Sequence, residues 1–163
     1  TGWYTLSLHD ALPILQADEP LLHPSMIDDV VSPLLRSREL TITTLKKKIT
    51  DPEDLRNPNV VKVVTGKNGY ALYFSRSAIP FPRFHENVVF YKHIGLYAFT
   101  KDFLFTFTTL PTSSLEGAEG LEQLRVLENG YRIKVVETQF DTIGIDTPED
   151  LERAREVLTL RDK

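Results

Sequence analysis

The sequence predicts one layered α/β domain built on a mixed β-sheet, and three observations carry that prediction. β-prone runs alternate with stretches of helical apolar spacing from Ile14 to Leu158. Asn68-Gly69 stands between two runs rich in β-branched and aromatic residues, the strongest short-range signal for an antiparallel hairpin. Twice an apolar run delivers an aspartate just before a helix start, at Asp18 and Asp146. Such junctions line the carboxyl ends of strands, where open α/β sheets bind their ligands.

The elements follow in order. Residues 1–13 show neither strand nor helix period, and Ser7-Leu8-His9-Asp10-Ala11-Leu12-Pro13-Ile14 resembles read-through of a sequencing adaptor. They are set apart as a non-native leader, with 14–163 as the domain. Ile14-Leu15-Gln16 reads as the end of a buried strand. A helix starts near Pro24, with Met26, Ile27, Val30, Val31, Leu34 and Leu35 on one face. Pro33 within that pattern predicts a bend or a break, at about 3 kcal/mol if unrelieved. Residues 41–46 are β-prone. Thr50 with Glu53 fits a capping box for a short helix ending near Leu55.

Val60–Val64 and Tyr70–Ser75 form the hairpin arms around Asn68-Gly69. A loop with Pro80 and Pro82 leads to a strand from Tyr91 to Phe99. Thr100 caps a helix carrying Phe103, Leu104 and Phe107, and Ser113 with Glu116 offers a second capping box. A helix through Leu121, Leu124 and Leu127 stops at Asn129-Gly130, followed by a strand from Tyr131 to Thr138. Thr147-Pro148 opens the closing helix through Leu151, Ala154, Val157 and Leu158.

Composition narrows the function classes. Of 163 residues, 19 are Lys or Arg and 23 are Asp or Glu, a net charge of −4, which argues against a nucleic-acid partner. The one basic run, Lys46-Lys47-Lys48, reads as a solvated strand edge. There is no cysteine, so disulfides, thiolate catalysis and thiolate zinc sites are excluded, and a cytoplasmic setting fits. No stretch reaches the length of a membrane helix, and no membrane partner is expected. His9, His23, His85 and His93 lack the spacing of helical metal ligands. No P-loop, dinucleotide fingerprint or nucleophile elbow occurs. Two readings stay open for Asp18 and Asp146: each could cap the following helix, or the two could converge on Mg²⁺, a hard ion that takes oxygen ligands.

A resemblance sharpens this. Leu15-Gln16-Ala17-Asp18-Glu19-Pro20-Leu21 is similar to the Val-Gln-Gly-Asp-Glu-Pro-Leu signature of CMP-Kdo synthetases, the 3-deoxy-manno-octulosonate cytidylyltransferases. Asp51-Pro52-Glu53, Asn57 to Val64, Gly69 to Arg76, Ile79-Pro80, His93 to Tyr97, Leu121 to Arg125 and Gly144 to Leu151 follow in the family's order. The resemblance implies a three-layer α/β/α nucleotidyltransferase domain, Rossmann-like and GT-A-like. It implies transfer of CMP from CTP to Kdo, an acidic sugar of lipopolysaccharide, with release of pyrophosphate and with Mg²⁺ as cofactor. By position Asp18 and Asp146 become metal carboxylates and, with Arg76, the catalytic set. Arg76 looks like the residue that grips the sugar carboxylate, and Gln16, His93, Tyr97, Glu122 and Gln123 match positions lining the sugar pocket. A homodimer is implied for the whole enzyme.

Two departures stand out. The family's glycine before the first aspartate is Ala17 here. The family opens with a strand and a basic loop of the type Ala-Arg-x-x-Ser-x-Arg-x-Pro-Gly-Lys, and residues 1–13 contain nothing similar. The expectation is therefore a chain without its first strands and nucleotide loop, inactive alone. Two alternatives remain: a cytidylyltransferase for another acidic sugar such as sialic acid, and a non-catalytic binding or scaffold module.

Overall fold

The computed structural model describes residues 11–15, 22–84, 88–142, 145, 151, 152 and 154–156. In chain order these give β1 (Ala11–Leu15), α1 (Pro24–Arg36), β2 (Ile42–Lys48), α2 (Pro52–Arg56), β3 (Lys62–Thr65), β4 (Ala71–Ser75) and β5 (Tyr91–Thr100). Then come α3 (Lys101–Thr109), α4 (Ser114–Glu119), α5 (Gln123–Glu128) and β6 (Lys134–Glu137). Residues 151, 152 and 154–156 are helical, with Ala154 buried and Leu151 exposed.

The ten-residue β5, the longest strand described, organises the sheet. β2 runs antiparallel along one of its edges, from Ile42 opposite Phe99 to Lys48 opposite Tyr91. The other edge is shared: β1 pairs with residues 96–100 and β3 meets it at Lys92. β4 closes the hairpin with β3, and β6 lies parallel to β2, so the sheet is mixed as the sequence predicts. Gly69 takes φ 75 in the Asn-Gly turn, which a side chain would strain. The hairpin tip also reaches β6, where Val135 N donates to Gly69 O at 2.9 Å.

Alternation along the strands builds two cores. Ile42, Val63, Phe74, Tyr97 and Phe99 face Phe103 of α3 and Leu124 and Val126 of α5. Leu45, Ile94, Leu96 and Ala98 face Met26, Val30 and Leu34 of α1. Helices therefore cover both faces, giving the three layers that the resemblance implied.

Several local expectations are corrected. β1 starts at Ala11, so three residues of the segment set apart above are paired in the sheet; Pro13 is tolerated because β1 pairs on one edge only among the described residues. Pro33 does not divide α1, which runs on to Arg36; it lies in the last turn of a helix whose Met26, Val30, Val31 and Leu34 are buried. The cap of α2 is Asp51 rather than Thr50, its carboxylate accepting from Glu53 N at 2.8 Å with Pro52 at the first helical position. Gly120, at φ 62, divides the helical stretch before Asn129 into α4 and α5. The last strand is shorter than expected, Lys134–Glu137. The lysine run does not lie on a sheet edge either. β2 sits between β5 and β6, Lys46 is over the Tyr91 ring at 3.9 Å, and Lys47 pairs with Asp141 at 3.4 Å.

Candidate functional site

His93 and Tyr97, two of the residues assigned to sugar binding, lie on β5 near the place where β1 and β3 share its edge. β1 ends opposite Leu96 and β3 begins opposite Lys92, so the two strand ends flank residues 93–95. On the far edge, the β2–β5 register slips between Thr44 and Leu45, at the same level. Irregularities of this kind re-aim side chains and recur beside binding sites. Arg76 follows β4 directly, and His93 N donates to Val61 O at 2.8 Å. Arg76 and His93 are thus separated by the strand that carries Val61, two strand spacings or about 10 Å.

Arg76 is held with unusual completeness. Its Nε donates to Glu119 O at 2.7 Å, Nη1 to Pro58 O at 3.0 Å and Nη2 to Gly120 O at 3.4 Å. The two α4 carbonyls are among those a helix end leaves without internal partners. All three acceptors are neutral. Among the described residues no carboxylate lies within ion-pair distance of this guanidinium; the ion pairs involve Lys47, Lys92, Arg125 and Arg155 instead. Five N–H donors less three used leave two for a ligand. The Pro58 acceptor is itself fixed: fully buried Lys62 donates to Asn57 O at 2.8 Å and Val60 O at 2.6 Å, clamping the loop from both sides. Burial pushes the Lys62 ammonium below its ordinary value, with nearby Arg76 acting in the same direction.

His93 lies edge-on to Phe74 at 5.1 Å and 5.3 Å from the Tyr97 ring. Thr44 Oγ1 donates to Leu96 O at 2.9 Å and sits 2.9 Å from His93 Nε2. Thr44 Oγ1 also lies 3.2 Å from Ile94 O, so this one hydroxyl ties the His93 ring to the β5 backbone. Burial pushes His93 down to about 3, so the ring is neutral at physiological pH. The stability consequence has a definite sign. Between the unperturbed 6.5 and about 3 the unfolded chain binds a proton that the native one excludes. Stability is thus full above 6.5 and falls with pH. Denaturant titrations are expected to show a loss of about 2–3 kcal/mol between roughly pH 7 and pH 4.5 from this group. His93→Gln should remove most of that slope, and equal slopes in the two proteins would contradict the assignment.

Tyr97 is 9% exposed and packs on Phe99 at 5.8 Å. Glu122 and Gln123 follow directly on the α4 end that Arg76 grips. Glu122 is exposed and makes no capping bond to α5. Gln123 is 8% exposed and opens α5. A side-chain amide can both donate to and accept from hydroxyl groups. The structure therefore brings Arg76 beside the segment that carries Glu122 and Gln123, and His93 beside Tyr97, with Phe74 joining the two groups. Gln16, Asp18 and Asp146 lie outside the described residues, as does His85. Among the described residues no group of three His, Asp or Glu could hold a metal ion.

Three contributors escaped the sequence reading. Thr44 bonds the His93 ring, Glu119 holds Arg76, and Lys62 holds the loop behind it. The Thr44 and Glu119 contacts join residues 49 and 44 positions apart, and no local pattern reports such pairs.

Comparison with known proteins bears on family and fold. The family model described as cytidylyltransferase matches residues 8–135. Over 140 residues the chain is 54% identical to the 3-deoxy-manno-octulosonate cytidylyltransferase of Solibacter usitatus (strain Ellin6076), covering 85% of this chain and 56% of that protein. A solved structure of CMP:2-keto-3-deoxy-manno-octonic acid synthetase complexed with CTP superposes with a TM-score of 0.86 at 38% identity, covering 93% of this chain and 63% of that one. The inositol-1-phosphate CTP transferase of T. maritima, 19% identical with a TM-score of 0.61 over 96% of this chain and 57% of that one, shares the fold. This chain thus spans about three-fifths of the length of its Kdo-named relatives. It belongs to the cytidylyltransferase family.

Proposed function

We propose that this chain supplies the sugar-acid half of an enzyme that transfers CMP from CTP to Kdo. The anomeric oxygen of Kdo would bond to the α-phosphorus as the bond to pyrophosphate breaks, giving CMP-Kdo. The observation that carries this reading is Arg76, an oriented guanidinium with neutral acceptors on three donors and no carboxylate partner among the described residues. Its planar fork matches the two oxygens of a sugar carboxylate. Gln123, His93 and Tyr97 are the groups assigned to the sugar's hydroxyls, with the buried Phe74 ring edge-on to His93 at 5.1 Å. Held this way, the sugar is oriented before reaction, which is where transferases of this kind gain much of their rate.

Mg²⁺ belongs to the proposal, with Asp18 and Asp146 as the oxygen donors suited to it; when bound it neutralises phosphate charge and lowers the pKa of a coordinated hydroxyl. A cytoplasmic setting in lipopolysaccharide precursor synthesis is part of the same reading, and no described helix is long and apolar enough to cross a membrane. So is a homodimer, to which the exposed apolar side chains Leu72, Phe81 and Phe84, 65%, 83% and 78% exposed, are candidate contributors.

The test is pyrophosphate release with CTP, Mg²⁺ and either Kdo or sialic acid. The 163-residue chain alone is expected to be inactive. A hybrid that joins it to the part of the Solibacter relative it does not match is expected to be active with Kdo. Activity with sialic acid alone, or turnover by the chain alone, would overturn the reading.

A further inference from the structure

Glu119 ends α4, and its two functional ends point at the same residue. Its carboxylate accepts from the Arg76 backbone N–H at 3.0 Å and from Ser75 Oγ at 2.6 Å, and it also binds the Tyr73 hydroxyl. Its main-chain carbonyl accepts from Arg76 Nε at 2.7 Å. The left-handed Gly120 that follows turns the next carbonyl to Arg76 Nη2. Ser75 Oγ in turn accepts from Ser77 N at 3.0 Å, so the segment on both sides of Arg76 is fastened.

This arrangement separates orientation from neutralisation. A glutamate next to an arginine ordinarily forms an ion pair with it, and an ion pair would cancel the charge that a substrate carboxylate needs. Here the carboxylate is occupied by three donors from the β4 segment, while uncharged carbonyls aim the guanidinium. Burial alone would raise the Glu119 carboxyl, but the bonds from Ser75, Arg76 N and Tyr73, with a smaller contribution from the Arg76 charge, hold it below its ordinary value, so it stays a strong acceptor without a direct bond to the guanidinium. We infer that Glu119 is a positioning residue for Arg76. It locks the backbone and side chain of Arg76 in a receptor geometry and leaves the cation open to a carboxylate-bearing ligand. The inference rests on the sugar-acid reading of Arg76 given above.

The experiment uses the 163-residue chain, with free Kdo and its methyl ester as ligands and calorimetry as the measure of affinity. In parallel, the Arg76 Nε–H resonance of ¹⁵N-labelled protein reports orientation without any ligand. Wild type is expected to prefer Kdo over the ester and to show a shifted, slowly exchanging Nε–H signal. Glu119→Gln keeps the side-chain volume but offers one oxygen where two accept. It should lose the distinctive Nε–H signal, bind Kdo about tenfold more weakly and bind the ester unchanged. If that variant fails to fold by circular dichroism, Ser75→Ala removes one of the three donors and should move both readings in the same direction by about two- to threefold. A folded variant with wild-type Nε–H signal and wild-type Kdo affinity overturns the inference. Loss of the signal with unchanged Kdo affinity, or no Kdo binding by wild type while the signal depends on Glu119, upholds positioning and overturns the sugar reading of Arg76 instead.

Discussion

Arg76→Ala in the active hybrid is expected to raise the Michaelis constant for Kdo about a hundredfold while leaving that for CTP within about twofold. The estimate follows from chemistry already described. A charge-assisted contact between a half-buried guanidinium and a carboxylate contributes about 2–3 kcal/mol when the cation has no competing anion, and about 2.7 kcal/mol corresponds to a hundredfold. Arg76 meets that condition, because its three acceptors are carbonyl oxygens. The substitution also frees the carbonyls of Glu119, Gly120 and Pro58, all near solvent, so the stability cost should be smaller than the binding cost. Arg76→Lys keeps the charge but loses the fork, and should recover only part of the affinity. Equal Michaelis constants for Kdo in wild type and Arg76→Ala would remove Arg76 from the sugar site.

The second large effect is on stability. Phe74→Ala is expected to cost about 3–5 kcal/mol, measured as the shift in a urea or guanidinium titration. Phe74 is 0% exposed, pairs with Val63 across the hairpin and presents its ring to the His93 edge. Its removal opens a cavity between the hairpin and α5, where Leu124 and Val126 are also fully buried and hold little slack to refill it. Because Arg76 lies two residues further along the same strand direction, sugar affinity should fall with stability. Phe74→Leu, which retains most of the volume, should cost about 1 kcal/mol and leave Kdo affinity near wild type. A cost below about 1 kcal/mol for the alanine variant would show that Phe74 is not the keystone between these layers.

Those two residues show what the sequence makes legible. Asn68-Gly69 announces the hairpin that carries Phe74 and Arg76, because only a turn tolerating positive φ joins such runs in so few residues. The Ser113–Glu116 box and the Thr100 cap are legible for the same reason: their partners are three residues away. Resemblance adds the family and the role proposed for Arg76. What stays hidden is set by long-range pairing. Gly120 is one glycine in an apolar-periodic stretch, and only packing of Leu121 and Leu124 against the sheet decides that it breaks the helix. Thr50 and Asp51 compete for one cap, and the Pro52 ring at the first helical position settles it. The slipped register between Thr44 and Leu45 has no local signature at all, although it sits level with His93.

Asp141 carries a consequence of its own. Its carboxylate reaches Lys92 of β5 at 2.8 Å and Lys47 of β2 at 3.4 Å, while Lys92 also holds Asp54 of α2 at 3.1 Å. The chain leaving the sheet after β6 is therefore moored to the strand next to His93, five positions before Asp146. Ionic strength then becomes a control on how firmly the segment after β6 is held: salt that screens these partly exposed pairs loosens the tie between Asp141 and the two strands without touching the apolar cores.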